Sequence, residues 1–392
     1  MRIAIVARDL PRATGFGLVV DNLLRGLAQD HAVRLFILHP GYYKPRAFDP
    51  RDWPYDWEEY TTPDRKEGRD TRMSRASRYY KVEAARLAWL NSRLADYRAD
   101  RIVGFDYNLA PYLGMLESRA PKVLNVVDSE ILYYGNQLLC GNIEVSIVKH
   151  LVAAVLAGRE NFRRCAALVT VSPADTSNLK RWTGIKHAFT VPNGVDHSWY
   201  APNASIEKKQ SRIVFCGSLS FLPNVQAVDW FLGKCWHQIL SRMSEAELLI
   251  IGKNPPADLA HRLAIHRGVQ VLGHVDDVRT HILSSAVSVA PMVSGTGIKN
   301  KILEAWALAV PVTATRQAVK GLACEHGKNI MISNSATEFA EHVVCLLSNP
   351  DQCDRIGKAG RSHAIKNYSW TASRAAFNSI VDSASQVGVP EG

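Results

Sequence analysis

The residues best suited to chemistry lie in a glycine-rich turn that leads into an apolar helix. The segment is PMVSGTGIKNKILEAWALAVP (291–311), in which Gly295 and Gly297 come just before the helix. Glycine allows positive φ angles and close approach of a ligand to the backbone. The amides of Gly297, Ile298 and Lys299 come at the helix start, where N–H groups lack partners and the helix dipole is positive. This combination predicts an anion-binding site.

Charged side chains follow the same turn. Lys299 and Lys301 can donate charge-assisted hydrogen bonds to phosphate oxygens. Glu304, one turn into the helix, can accept hydrogen bonds from two hydroxyls of a ribose. A nucleoside diphosphate bearing a sugar is the predicted ligand. An ordinary helix start with solvated lysines is the alternative interpretation.

The flanks of this turn favour a binding site. A β-branched segment precedes it at 285–292, and another follows at 310–315. The turn therefore comes at the carboxyl end of a strand in a β-α-β unit, which is where open parallel sheets bind ligands.

Other strand ends in the second half of the chain offer further contacts. Gly217 and Ser218 lead from a strand into a helix and can present amides to a phosphate. Val275 follows another strand and can lie beside a base. The neighbouring Asp276 and Asp277 lack a metal-ligand spacing and a nearby histidine, so metal catalysis is not expected, and Asp277 can instead cap the next helix.

The first half of the chain has weaker candidates. Gly15 and Gly17 precede the first predicted helix (18–30), but Val20 replaces the third glycine of a dinucleotide-binding turn. These glycines can admit a phosphate or an acceptor, or simply form the entry to the helix. Asp128 ends a strand and can orient or deprotonate an acceptor hydroxyl, or cap a helix.

Alternating strand and helix patterns position these residues. Asp106, which ends the strand beside that of Asp128, is a weaker candidate of the same kind. A polar stretch at 191–210 separates two series of patterns and predicts an α/β protein with two doubly wound parallel sheets. The predicted strands are 2–7, 32–38, 101–105, 122–128 and 167–172, then 212–219, 247–252, 269–273, 285–292 and 310–315.

One region breaks the alternation. Residues 41–60 are rich in aromatics and proline and fit a lid or irregular insert better than a strand or helix. Basic residues at helical spacing then predict a basic amphipathic helix over 72–97. That helix can lie on an anionic membrane surface, or pack on the sheet with its basic face in solvent.

Composition restricts the class of protein and of partner. The chain has 392 residues, of which 47% are apolar and 21% charged, as in a globular protein of two domains. No apolar run is long enough to cross a bilayer, and seven scattered cysteines predict a reduced, cytoplasmic compartment, with contact at the inner membrane face left open. The net charge of +10 indicates an anionic partner. Nucleic acid is not expected, because the basic residues are not interleaved with aromatics in a known module.

The chain resembles the retaining GT-B glycosyltransferases of family four. The segments that carry the resemblance follow the family's usual order: VTVS, VPNGVD, FCGSLSFLPNVQAVDWF, LLIIG, VQVLGHVDDV and VAPMVSGTGIKNKILEAWALAVPVTAT. They are strongest from 165 to 322. The resemblance implies two Rossmann-like domains facing each other across a cleft. An acceptor-side domain spans 1–198, a nucleotide-sugar-binding domain spans 199–370, and a helix over 371–392 crosses back to the first domain.

The resemblance also implies a reaction. A hexosyltransferase would move a sugar from a nucleoside-diphosphate sugar to a hydroxyl of a glycan, lipid-linked or small-molecule acceptor, without metal or cofactor and with retained anomeric configuration. Glu304 matches the family's ribose ligand, whereas Thr296 stands where a second glutamate is usual. The Arg and Lys that commonly follow Gly217 are also missing, so Lys299 and Lys301 would bind the diphosphate. Lys299, Thr296 and Asp128 are the candidate catalytic residues.

Two other functions remain open at this point. A nucleotide-sugar epimerase can share this architecture, but it would carry several carboxylates and a histidine around the sugar. A nucleotide-sugar-binding subunit that has lost catalysis is suggested by Thr296 in place of a glutamate.

Overall fold

The computed structural model describes residues 1–8, 15–38 (backbone only at 15 and 16), 55–60, 82–127, 129–139, 144–253, 255, 259, 262–263 and 265–385. Two compact units make up this part of the chain. The first contains the described residues of 1–192 and of 373–392, and the second contains those of 193–372.

The first unit is built on a parallel sheet of seven strands in the order β3-β2-β1-β4-β5-β6-β7. The strands are β1 (Arg2–Ala7), β2 (Ala32–Ile37), β3 (Asp56–Glu59), β4 (Arg101–Phe105), β5 (Lys122–Val127), β6 (Ala167–Thr170) and β7 (Ala188–Thr190). The helices are α1 (Gly15–Asp30), α2 (Ala84–Tyr97), α3 (Ala110–Met115), α4 (Glu130–Leu139), α5 (Val145–Asn161) and α6 (Pro173–Thr183), with short 3-10 turns at Tyr107–Leu109 and Phe162–Arg164.

The second unit has a parallel sheet of six strands in the order β10-β9-β8-β11-β12-β13. The strands are β8 (Lys209–Cys216), β9 (Glu247–Ile251), β10 (Val269–Gly273), β11 (Ser285–Ala290), β12 (Val312–Thr315) and β13 (Met331–Ser333). The helices are α7 (Leu222–Phe231), α8 (His237–Leu240), α9 (Val278–Leu283), α10 (Asn300–Ala307), α11 (Ala336–Ser348) and α12 (Pro350–Asn367), with a π-helical turn at Leu232–Trp236. Helix α13 (Trp370–Ser383) begins in this unit and ends in the first.

The central strands are buried on both faces. Five of the six residues of β1 and all six of β11 are buried. Helices therefore cover both sides of each sheet, which explains why the sequences of these strands do not alternate between apolar and polar residues. The predicted α/β architecture with two doubly wound parallel sheets is confirmed.

The strand order fixes where loops gather. It changes direction between β1 and β4 in the first unit and between β8 and β11 in the second. Loops at the carboxyl ends of these strand pairs diverge and leave a crevice, which is where open α/β sheets bind ligands. The loops that follow β8 and β11 contain Gly217 and the glycine-rich turn.

Helix α10 and the residues that follow it pack closely against α12. A Cβ on Gly357 would lie 2.1 Å from the Ala309 carbonyl oxygen, and one on Gly360 would lie 2.5 Å from the Trp306 ring. The Trp306 indole also donates a 2.8 Å hydrogen bond to the carbonyl of Asn329. The two glycines allow the two helices to pack without a side chain between them.

Two expectations about the region after β2 need correction. Residues 56–59, assigned to an irregular insert, form the edge strand β3, which pairs parallel to β2. Four polar or aromatic residues give no apolar alternation, so the sequence pattern did not predict a strand there. The rest of 41–60, apart from Tyr55 and Tyr60, lies outside the described residues.

The predicted basic helix over 72–97 was too long. Val82 and Glu83 are not helical, Glu83 is extended, and the helix begins at Ala84. Leu90 and Leu94 lie in the core of the first unit. Residues 72–81 lie outside the described part, and over 84–97 the apolar side packs on the sheet. No helix among the described residues is long and apolar enough to span a membrane.

Candidate functional site

The glycine-rich turn has the backbone that its sequence predicts. Gly295 has φ +96° and Gly297 has φ +69°, a region that side chains with a Cβ rarely occupy. The Ser294 hydroxyl hydrogen bonds to Gln226, and the Gln317 amide donates to the Gly295 carbonyl at 2.8 Å. These bonds fix the turn from both sides.

Helix α10 begins at Asn300, directly after the three residues whose amides were predicted to lie at its start. Lys299 is its extended N-cap residue, so the amides of Gly297 and Ile298 precede the helix. Ile302, Leu303 and Trp306 are buried and anchor the helix to the core. The positive end of the helix dipole lies at the turn, and the Ile302 amide bonds the Lys299 carbonyl.

Lys299 contacts the turn itself. Its ammonium donates to the carbonyl of Thr296 at 2.5 Å and to that of Gly297 at 3.0 Å. The positive charge therefore lies against the backbone of the predicted phosphate loop.

Lys301 joins helix α10 to strand β8 and helix α7. Its ammonium donates to Asn224 Oδ1 at 2.9 Å and lies 4.0 Å from the centre of the Phe215 ring. Asn224 in turn donates to the Ser218 carbonyl at 2.9 Å. A cation over an aromatic face is favourable, but one amide oxygen, a ring and the weakly accepting sulfur of Met292 at 3.7 Å satisfy an ammonium poorly.

Burial changes the ionisation of this cluster. Burial, reinforced by the charge of Lys299, lowers the pKa of Lys301 to about 7, against the opposing effects of Cys216 and Glu304. Burial raises the pKa of Glu304, although Lys301 opposes this. The lysine is thus close to losing its proton at neutral pH, and an added anion would restore the charge.

Tyr200 is a site residue that the sequence did not indicate. Its hydroxyl hydrogen bonds to the Glu304 carboxylate, and its pKa is raised by burial and by the charge of Glu304. Arg279 fixes this segment, because its guanidinium lies 3.7 Å from the centre of the Trp199 ring and donates to the Trp199 carbonyl at 2.9 Å. No motif around Tyr200 signals this contact.

Asp277 caps helix α9, as predicted. Its carboxylate accepts a 2.9 Å hydrogen bond from the backbone amide of Arg279. It also forms an ion pair with the Arg279 guanidinium at 2.7 Å. Val275 is partly buried against the core of the second unit. Its contact with a base stays a prediction. Among the residues described, no three His, Cys, Asp or Glu side chains are grouped as metal ligands.

Gly217 lies directly against the side chains of Lys301 and Asn224. A Cβ there would lie 2.7 Å from Asn224 Nδ2 and 2.9 Å from Lys301 Nζ. We expect Gly217→Ala to displace both flexible side-chain ends and to weaken binding of a nucleoside diphosphate about tenfold, the effect of one disturbed charged hydrogen bond. Isothermal titration calorimetry measures the affinity. Gly233→Ala is the matched control, since a Cβ there meets open space, and equal affinities for the two variants would contradict the assignment.

The first unit has backbone strain at the carboxyl edge of its sheet. Asp106 and Val127 have φ values of +110° and +56°, which are unfavourable for residues with a Cβ and are often found at functional sites. Asp106 accepts hydrogen bonds from Arg8 Nη1 and the Asn108 amide, both at 2.9 Å. Asp128, the residue after Val127, lies outside the described residues.

Gly15 and Gly17 do not lie in a turn before the first helix. They belong to the first turn of α1, which begins at Gly15. The low helix propensity of glycine led to the later predicted start at 18. Residues 9–14 lie outside the described part, so a phosphate or acceptor contact near these glycines stays a prediction.

Part of the chain matches known proteins in sequence. Residues 210–349 match the family model described as glycosyl transferases group 1. A stretch of 175 residues is 25% identical to an uncharacterized 44.6 kDa protein in the cps region of Klebsiella pneumoniae, covering 43% of this chain and 44% of that protein. A stretch of 203 residues is 25% identical to the GDP-mannose-dependent monoacylated alpha-(1-6)-phosphatidylinositol monomannoside mannosyltransferase of Corynebacterium glutamicum, covering 46% and 52%. The matches thus span about half the length of these curated relatives.

Solved structures share the fold over nearly the whole chain. Sucrose-phosphate synthase from Thermosynechococcus elongatus superposes with a TM-score of 0.76 at 14% identity, covering 97% of this chain and 98% of that one. HepE of Anabaena, in complex with UDP and glucose, gives 0.72 at 14% identity, covering 97% and 99%. WaaG, a glycosyltransferase involved in lipopolysaccharide biosynthesis, gives 0.66 at 16% identity, covering 96% and 99%. At these identities the likeness concerns the fold.

Proposed function

We propose that this protein transfers a sugar from a nucleoside-diphosphate sugar to a hydroxyl acceptor, because residues 210–349 match the family model of glycosyl transferases group 1 and the chain has the GT-B fold. The acceptor belongs to a glycan, a lipid-linked saccharide or a small molecule, and the anomeric configuration is retained. The observation that carries the proposal is the under-solvated Lys301 ammonium at the start of helix α10.

The donor is bound by the second unit in this proposal. Its diphosphate accepts hydrogen bonds from the amides at the turn and at the start of α10, and from Lys299 and Lys301. Glu304 accepts hydrogen bonds from ribose hydroxyls, with Tyr200 as the second partner of its carboxylate. The base lies near Val275.

The same groups supply the catalysis. When the bond between the sugar and the diphosphate breaks, negative charge grows on the leaving phosphate, and fixed cations and amides stabilise that charge in the transition state. In this proposal two lysines and a helix terminus supply the positive charge that a divalent cation supplies in other phosphate sites. The proposed reaction therefore needs no added metal.

The acceptor is bound by the first unit in this proposal. The carboxyl ends of β1 and β4 carry Arg8 and Asp106, which form an ion pair at 2.9 Å. Their charges suit hydroxyl groups, which both donate and accept hydrogen bonds. A role for Asp128 in orienting or deprotonating the acceptor hydroxyl is part of the proposal, as is a contact of Thr296 with the donor sugar.

The nature of the donor sets the first experiment. One similar structure holds UDP and glucose, and one similar enzyme is named for its use of GDP-mannose. We expect one class among UDP-, GDP- and ADP-sugars to raise the unfolding temperature of the chain, because a ligand that binds only the native state stabilises it. The stabilising donor, incubated with candidate saccharide acceptors in the presence of EDTA, is then expected to give product with retained configuration.

The controls separate the alternatives. Conversion of the donor without any acceptor would indicate an epimerase, and tight binding with no transfer would indicate a binding subunit. Loss of transfer in EDTA with recovery on adding Mg²⁺ would contradict the metal-independent mechanism. Failure of every donor to stabilise the chain would contradict the donor site itself.

A further inference from the structure

Helix α5 presents a row of aliphatic side chains to solvent. Val145, Val148, Val152 and Leu156 are 70%, 43%, 51% and 47% exposed. Their spacing of three, four and four residues puts them on one helix face, over a length of about 16 Å at 1.5 Å per residue. We call these four residues the α5 stripe.

The opposite face of the same helix accounts for its position. Ala153, Ala154 and Ala157 are buried in the core of the first unit. On the side of α4, the Tyr134 ring stacks on His150 with ring centres 5.1 Å apart. The helix therefore does not need the α5 stripe for packing within its own unit, and exposing four large aliphatic groups in a row is unfavourable in water.

Cations and an exposed tryptophan extend this surface. Lys149 is exposed beside the stripe, and Arg159 follows Leu156 on the same face. The Arg159 guanidinium donates to the Trp182 carbonyl at 2.8 Å, and Trp182 is 42% exposed. The Arg181 guanidinium lies 5.9 Å from the centre of the Trp182 ring.

Positive charge prevails in the segment that contains the stripe, although the exposed Glu144 and Glu160 lie at the two ends of α5. Between 144 and 189 the chain has seven lysines and arginines and three acidic residues, of which Asp175 is fully buried. Aliphatic groups beside cations, with a tryptophan at the edge, are the features of surfaces that lie in the headgroup region of anionic bilayers.

We propose that the α5 stripe, with Lys149, Arg159, Arg181 and Trp182, binds the surface of an anionic lipid bilayer. The aliphatic groups insert among the upper acyl chains while the cations contact lipid phosphates. A second copy of the chain on the α5 stripe is the alternative occupant, and the test below separates it from a bilayer.

The test is co-sedimentation of the purified full chain with vesicles. We expect binding to phosphatidylcholine vesicles that contain phosphatidylglycerol, and binding at least about tenfold weaker to phosphatidylcholine alone or at high salt. The double variant Val152→Asp/Leu156→Asp is expected to lose binding by about tenfold or more, since it removes the apolar contact and adds negative charge. Lys149→Gln/Arg181→Gln is expected to lose the preference for the anionic lipid.

Ile265→Asp is the matched control. Ile265 is 71% exposed and belongs to the second unit, so this variant replaces an exposed aliphatic group by an aspartate outside the α5 stripe and should bind vesicles like the unchanged chain. The unfolding temperature of each variant shows that the fold is kept. Lack of binding by the unchanged chain, equal binding by both aspartate variants, or a dimer in light scattering that only the α5 variant dissociates would each overturn the proposal. None of these readouts depends on glycosyl transfer.

Discussion

Replacing Lys301 by methionine is expected to weaken binding of the nucleoside-diphosphate sugar by about 10- to 100-fold at pH 6, the worth of one hydrogen bond between an ammonium and a phosphate. The reason is the position of the ammonium between helix α10, strand β8 and helix α7, where Asn224, the Phe215 ring and the Met292 sulfur are its contacts. Methionine keeps an unbranched apolar side chain up to the ε position and removes the ammonium group. Calorimetric titration with the donor measures the change.

The pH dependence makes this prediction specific to Lys301. Burial lowers the pKa of its ammonium to about 7 in the free protein, and the bound diphosphate raises it. Below pH 7 both forms are protonated and the affinity is constant. Above pH 7 the free lysine is neutral and must take up a proton on binding, so the affinity falls by up to about tenfold per pH unit until the pKa of the complex is reached.

The variant should lack this dependence. Lys301→Met has no proton to take up, so its affinity is expected to be flat from pH 6 to pH 9, and the two proteins should converge at high pH. Lys234→Met, at an exposed lysine of the same unit, is the control and should keep the slope. The same slope in the Lys301 variant would assign the proton to another group.

Replacing Lys299 by alanine is expected to lower the turnover number by about 100- to 1000-fold, as removal of a donor to a developing negative charge does in other enzymes. Its ammonium bonds the carbonyls of Thr296 and Gly297, close to the predicted diphosphate. The fold should survive, since Ile302, Leu303 and Trp306 still anchor α10. Steady-state transfer assays and the unfolding temperature measure the two effects.

The control for charge alone is Lys320→Ala. Lys320 is an exposed lysine of the same unit, so its loss changes net charge without touching the turn. Near-normal turnover in the Lys299 variant would remove this lysine from the mechanism. A lower donor affinity with unchanged turnover would limit Lys299 to binding.

The local chemistry of the turn could be predicted from sequence because it depends on near neighbours. Gly295 and Gly297 have the positive φ angles that their spacing before a helix suggested, and Asp277 caps the helix that follows it. The contacts of Lys301 could not be predicted. They require the pairing of β8 with β11, which brings Phe215 beside a residue far along the chain.

Two further features had no signal in the sequence. Tyr200 reaches Glu304 because Arg279 and Trp199 fix its segment, a set of contacts between residues with no common motif. The positive φ of Val127 is the opposite of what a β-branched residue prefers, so only the structure reveals it. Short strands such as β7 and β13, with three residues each, give no periodicity to read.

The contact between α12 and α10 has a consequence for variation in this protein. Because no atom separates Gly357 and Gly360 from the backbone and ring they touch, even alanine at either position would have to push α10 along or away from the sheet. Lys301 and Glu304 would move with it. Substitutions on a helix that bears none of the proposed ligand contacts can therefore impair the enzyme as strongly as changes to its reactive groups, and such variants should be sought among inactive but folded products of random mutagenesis.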